Sequence, residues 1–155
     1  MKRVKRFCMI CVLLMGLAPG AAAQETSIAL KDAWSDAFLI GTAVNEGIVS
    51  GRLAREQDTV LRHFNSITAE NVLKAESVTP RDGVYDFRRA DSFVEFGERH
   101  NMFIVGHTLV WHNQTPKWFF ENESGEPVGR EALIERMRAH IETGAGRYAG
   151  RIHAW

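Results

Sequence analysis

MFIVGHTLVWHNQTPKW, Met102–Trp118, changes character partway along. Met102–His107 is a short apolar run without a helical period, the pattern of a buried strand. The residues that follow hold Trp111, His112, Asn113, Gln114 and Trp118, so polar and aromatic groups gather just beyond the strand's carboxyl end. The same arrangement occurs upstream. NSITAEN, Asn65–Asn71, predicts a second strand with Glu70 and Asn71 at its end, and FLIGTAV, Phe38–Val44, predicts a first. Helical stripes separate and follow these runs. Leu53, Val60, Leu61 and Phe64 share one face, as do Ala90, Phe93, Phe96 and Gly97, and Leu133, Met137 and Ile141 with Ile134 beside them. RIHAW, Arg151–Trp155, predicts the opening of a fourth strand.

Strands alternating with helices imply a parallel sheet covered on both faces. An open doubly wound sheet and a (β/α)8 barrel both fit. No G-x-G-x-x-G follows any strand, which removes the main signature of a dinucleotide binder. Functional groups at the carboxyl ends of successive strands favour the barrel. A complete barrel needs about 250 residues. The expectation is therefore α/β, a (β/α)8 TIM barrel of which this chain holds the first three βα units and the start of strand four.

The N-terminus belongs to a different class. Lys2, Arg3, Lys5 and Arg6 precede the apolar run Phe7–Ala18, and Pro19-Gly20 and three alanines follow. That order predicts a secretory signal peptide over residues 1–23, cleaved near Ala23, and hence an extracellular or periplasmic protein. The apolar run is shorter than the roughly 20 residues that span a bilayer. Residues 24–155 then form the truncated barrel segment, with no membrane association after cleavage. Removing the four basic residues from 19 leaves 15 against 19 acids, a net charge of −4. No basic surface argues for nucleic acid. Both cysteines, Cys8 and Cys11, fall in the signal, so the mature segment has neither a disulfide nor a thiol nucleophile.

Glu70, Asn71 and Lys74 offer an acceptor, an amide and an ammonium to a hydroxylated ligand. The plainer reading is a surface turn with a Glu70–Lys74 pair at i, i+4. His107 and His112 are five apart, not the four of a helical zinc pair, and no H-E-x-x-H occurs, so no metal is expected. A metal-dependent hydrolase using His107 and His112 remains an alternative reading. Trp111 and Trp118 fit a core as large aromatics generally do. Aromatic faces beside amides and imidazoles also suit sugar rings, whose C–H faces stack while their hydroxyls hydrogen-bond.

With TAENVLK, DGVYDF followed by Ala90-Asp91, GHTLVWHNQTPKW and the closing IHAW, the chain resembles the glycoside hydrolase family 10 endo-xylanases from about Phe38 to Trp155. The resemblance implies a secreted, retaining enzyme that cuts internal β-1,4 linkages of xylan or xylo-oligosaccharides. It implies no cofactor and a monomer as the full-length enzyme. By the same resemblance Glu70, Asn71 and Lys74 bind xylose on the glycone side. His107, Trp111 and Gln114 close around the sugars nearest the cleavage point, and His112 supports them. Both catalytic glutamates of the family fall beyond Trp155, so no catalytic residue is expected within the chain, and the isolated piece is expected to be inactive and poorly folded. A non-catalytic sugar-binding piece is the other alternative. Val72-Leu73 and Ala75 depart from the family pattern, where Glu-Met and a tryptophan are common; Ala75 puts aromatic packing at that point in doubt.

Overall fold

A computed structural model describes residues 27–155; the predicted signal peptide lies outside them. In chain order the elements are α1 (Leu30–Ala33), β1 (Gly41–Val44), α2 (Glu46–Val49), α3 (Ala54–His63), β2 (Ser66–Ala69), α4 (Ala75–Val78), α5 (Arg88–Arg99), β3 (Phe103–Val105), a 3-10 turn (Lys117–Phe119) and α6 (Arg130–Arg147). The three strands form a parallel sheet in the order β1-β2-β3, with Gly41 opposite Ser66 and Ser66 opposite Phe103. A parallel bridge from Val105 to Ala154 opens a fourth strand beside β3. Hydrogen bonds from Gly106 N to the Ala154 carbonyl (2.8 Å) and from His153 N to the Ile104 carbonyl (2.9 Å) fix it there. RIHAW thus lies where its sequence predicts.

The first strand is shorter than Phe38–Val44. Phe38 and Leu39 are 55% and 51% exposed, and Phe38 stacks on Trp34 at 5.3 Å instead of entering the sheet. The ladder starts at Ile40, whose N–H donates to the Asn65 side chain (2.7 Å) while its carbonyl accepts from the N–H groups of Asn65 and Ser66. Once Asn65 closes the sheet there, the apolar residues before it have no paired neighbour. Burial on both faces, expected of every strand, is a property of β2 more than of β1: Gly41 and Ala43 are exposed, whereas Ser66, Ile67 and Ala69 are buried.

The core lies between the sheet and the helices, with Val44, Ile67, Ile104, Phe93, Phe96 and Tyr148 at its centre. The α5 stripe lands as predicted: Ala90, Phe93, Phe96 and Gly97 are all buried. A Cβ on Gly97 would sit 2.6 Å from Ile104 Cγ1, so a hydrogen there is what lets the helix approach the sheet. The helix ends at Asn101, whose φ of 52° is the left-handed turn that asparagine tolerates well. The α6 stripe is different. Its fully buried residues are His140 and Gly144, while Leu133, Met137 and Ile141 are only partly buried. That helix packs through its small and polar positions because its neighbour is the segment after β3, not the sheet.

A polar clasp joins α5 to the end of α6. Arg147 grips Asp91 through Nε and Nη2 at 2.9 and 2.7 Å, and the buried Tyr148 hydroxyl donates to the same carboxylate at 2.9 Å. Hydrogen bonds from Arg147 hold the Asp91 carboxyl below its usual pKa; burial opposes them, and the bond from Tyr148 adds to them. Because the folded pKa is depressed, the stabilisation is full above the unfolded value of 3.8 and is lost as pH falls through the lower folded value. Asp91→Ala is expected to cost about 2 kcal/mol, chiefly by stranding the Tyr148 hydroxyl. Asp91→Asn should cost less, and its deficit against wild type should shrink as pH falls below 3.8. Urea titrations of the two variants at neutral and acid pH would check both statements; a deficit that grows with acidity would contradict them.

Candidate sugar-binding site

The ends of β2 and β3 meet through one side chain. Lys74 precedes α4, is 6% exposed, and extends its ammonium to Asn71 Oδ1 at 2.8 Å and Gln114 Oε1 at 2.5 Å. Gln114 Nε2 in turn donates to Asn71 Oδ1 at 3.1 Å. The three form a closed triangle across 43 residues of sequence. Its orientation is internally consistent, since turning the Gln114 amide over would set an NH2 group against an ammonium. The i, i+4 pair between Glu70 and Lys74 that the plainer reading requires is not formed: the ammonium turns to the two amides.

Gln114 reaches the triangle because its backbone is in the left-handed region, φ 51°. That conformation is strained for a residue with a Cβ. It is held by the Gln114 carbonyl, which accepts from Glu76 N at 2.9 Å. Trp111 sits under the same ammonium, with Lys74 Nζ 4.5 Å from its ring centroid. The imidazoles of His107 and His112 each pack edge-on against the indole, at 5.6 and 5.4 Å. Five of the predicted residues, Asn71, Lys74, His107, Trp111 and Gln114, therefore belong to one surface, and His112 borders it. Glu70 lies one step past β2, where its N–H continues the ladder to the Val44 carbonyl at 3.1 Å. It is exposed, and its side chain has no hydrogen bond or ion pair among the described residues.

The hydrogen-bonding capacity left over suits a polyol. An ammonium carries three N–H donors, of which two are used. Asn71 keeps both amide donors, Gln114 keeps one, and Glu70 keeps all its acceptor positions. Trp118, also in the motif, is structural: its indole donates to the Thr79 carbonyl at 3.0 Å and its ring stacks on Phe119. Among the described residues no group of three or more His, Cys, Asp or Glu side chains is placed to hold a metal ion, so His107 and His112 lack further ligands of that kind.

The end of β1 carries polar residues that the sequence reading passed over. Asn45 and Glu46 border a groove of about 690 Å³ between α2 and α5. Asn45 is engaged as the cap of α2, accepting from Ile48 N at 3.1 Å, and Glu46 faces Arg89 at 3.6 Å. The rule that polar groups collect at strand ends would have found both, had the V-N-E at positions 44–46 been read as a strand end.

The family model for glycosyl hydrolase family 10 matches residues 29–155. The chain belongs to glycosyl hydrolase family 10. Among family 10 relatives, endo-1,4-beta-xylanase A of Xylanibacter ruminicola is 39% identical over the whole chain and 41% of its own length. Endo-1,4-beta-xylanase B of Paenibacillus barcinonensis is 43% identical over 81% of the chain and 37% of its own length. A solved family 10 endoxylanase from a sugarcane soil metagenome superposes with a TM-score of 0.76 at 48% identity, covering 82% of this chain and 37% of that one. A mutant structure in complex with xylotriose gives 0.76 at 37% identity, covering 83% and 38%. The chain spans about two fifths of the length of these relatives. Its three βα units match that share of the family 10 (β/α)8 barrel, which makes the fold the barrel predicted from the strand-end clusters.

Proposed function

We propose that the whole protein carrying this chain is an exported, monomeric endo-1,4-β-xylanase that cuts internal linkages of xylan with retention, and that this chain supplies glycone-side sugar contacts. The observation that carries the reading is the Lys74–Asn71–Gln114 triangle beside Trp111. It presents fixed donors next to an aromatic ring, which is what a pyranose offers its hydroxyls and C–H face to. The relatives named above as endo-1,4-beta-xylanases support the substrate class.

Retaining hydrolysis needs two carboxyl groups about 5–5.5 Å apart, one as nucleophile and one as acid and base. The surface described here joins an ammonium, two amides, two imidazoles and an indole, with Glu70 at the adjoining strand end. Its work is to bind and orient the sugar. Hydrogen bonds that tighten as the ring distorts toward the transition state would add to catalysis from this side. Release of reducing ends from xylan by the whole protein, followed by NMR of the first-formed anomer, tests the reading. Retained β-anomer insensitive to a chelator is the expected result. Chelator-sensitive turnover would favour the metal-dependent alternative, and sugar binding without turnover the non-catalytic one.

A further inference from the structure

The 3-10 turn that follows the sugar-facing segment is held by side chains the sugar surface does not use. The carbonyls of Thr79, Trp118 and Glu121 have no backbone N–H partner among the described residues. Each is met by a side chain instead. The Trp118 indole Nε1 donates to the Thr79 carbonyl at 3.0 Å, where α4 ends. Arg136, on α6, donates through Nη1 to the Trp118 carbonyl and, at 3.0 Å, to the Glu121 carbonyl. Its guanidinium also lies over the Trp118 ring, 5.7 Å from the centroid. Thr79 is fully buried, so its carbonyl would be costly to leave alone.

These bonds bear on where Gln114 stands. The single turn of α4 has Lys74 just before it and Thr79 just after it. Glu76 N, in that turn, donates to the Gln114 carbonyl at 2.9 Å, and the Trp118 indole takes the other end of the turn. Residues 114–118 therefore run along α4 with one attachment at each end, and Lys74 meets the Gln114 side chain from the same turn. The attachment at Gln114 is made in the left-handed conformation, which does not sustain itself. The attachment at Trp118 is secured from outside, by a side chain on the 18-residue helix α6. Arginine suits that task. Its planar guanidinium is pre-organised, so less side-chain freedom is lost per hydrogen bond than with lysine, and its charge can lie over an aromatic ring at the same time.

We propose that Arg136 is a positioning residue for sugar binding: by clamping Trp118 it fixes the far end of residues 114–118 on α4, and so sets the Gln114 amide against Lys74. Arg136 acts through Trp118 and touches none of the sugar-facing residues in the hydrogen bonds it makes. The inference rests on the sugar-binding reading for its effect on affinity, whereas the clamp stands on the hydrogen bonds themselves. The two can fail separately.

The test uses Arg136→Met, Arg136→Lys, Trp118→Phe and the combination of Arg136→Met with Trp118→Phe, all in the whole protein. Amide hydrogen exchange is read without ligand over residues 74–79 and 111–118 and over β2, and KM and kcat are read on xylan. Arg136→Met is expected to speed exchange about tenfold in both segments with β2 unchanged, and to raise KM about tenfold with kcat within about twofold. Arg136→Lys keeps a charged donor and should stay within about threefold of wild type on both readouts. Trp118→Phe loses the bond to Thr79 and should match Arg136→Met, and the double variant should add no more than about threefold to either. If Arg136→Met does not fold, Arg136→Gln takes its place with the same expectation; if Trp118→Phe does not fold, the Arg136 variants decide alone. Wild-type exchange in Arg136→Met, a rise shared equally by β2, a lysine variant no better than the methionine one, or losses that multiply in the double variant would each overturn the proposal. The expected loosening in a protein whose wild type does not bind xylotriose would sink the sugar reading and leave the clamp.

Discussion

Lys74→Met in the whole protein is expected to weaken xylotriose binding by about a hundredfold, roughly 2.7 kcal/mol. The side chain keeps most of its length and loses its charge. Two hydrogen bonds from an ammonium disappear, each of a kind that contributes about 1.5–3 kcal/mol. The cation over the Trp111 ring disappears with them, a further 0.5–1 kcal/mol or so. Part of that loss falls on the free protein, because Asn71 and Gln114 then have only each other. The remainder falls on binding, through the third ammonium donor and through a Gln114 no longer held in its strained turn. Calorimetric titration reads the effect directly. A change below about threefold would mean that the triangle braces the fold without facing a sugar.

Glu70→Ala is expected to lower kcat/KM on xylan by about tenfold, or 1.4 kcal/mol. The effect is smaller than for Lys74 because the Glu70 carboxylate is exposed and starts from water, so each bond to a sugar hydroxyl gains less than it would in a buried site. Glu70→Gln keeps one acceptor oxygen and should recover part of the loss. A surface turn predicts kinetics indistinguishable from wild type for both variants. Such a result would restore the plain reading of this residue, though not of Lys74, which the structure already separates from it.

The barrel was legible because β2, β3 and α5 obey local rules. Their apolar residues follow the period of the element, and their polar residues begin where the strands stop. Those rules fail at two places for identifiable reasons. At β1, Phe38 and Leu39 are as apolar as strand residues, yet the sheet begins only where Asn65 can bond Ile40. On α6 the apolar positions Leu133, Met137 and Ile141 mark a helix correctly but not its most buried line, which runs through His140 and Gly144. A histidine three residues after Met137 on the same face was the available sign.

The sequence singles out the candidate residues one by one; how they connect is not legible in it. Nothing local says that Lys74 will choose Gln114, 40 positions away, over Glu70 one turn back. That choice depends on the left-handed turn at Gln114 and on the burial of Lys74, both of which follow from how the segment after β3 folds over α4. The exposure of Glu70 likewise depends on what surrounds the strand end and not on the strand itself.

The central claim is that Lys74, Asn71 and Gln114 act as one sugar-binding unit spanning two strand ends. A double-mutant cycle on xylotriose affinity, using Lys74→Met, Gln114→Leu and their combination in the whole protein, tests it most directly. Each single variant is predicted to lose at least about tenfold, and the pair no more than about threefold beyond Lys74→Met alone, because the second change removes what the first has already disabled. Losses that simply multiply, or single variants that bind xylotriose as wild type does, would contradict the account.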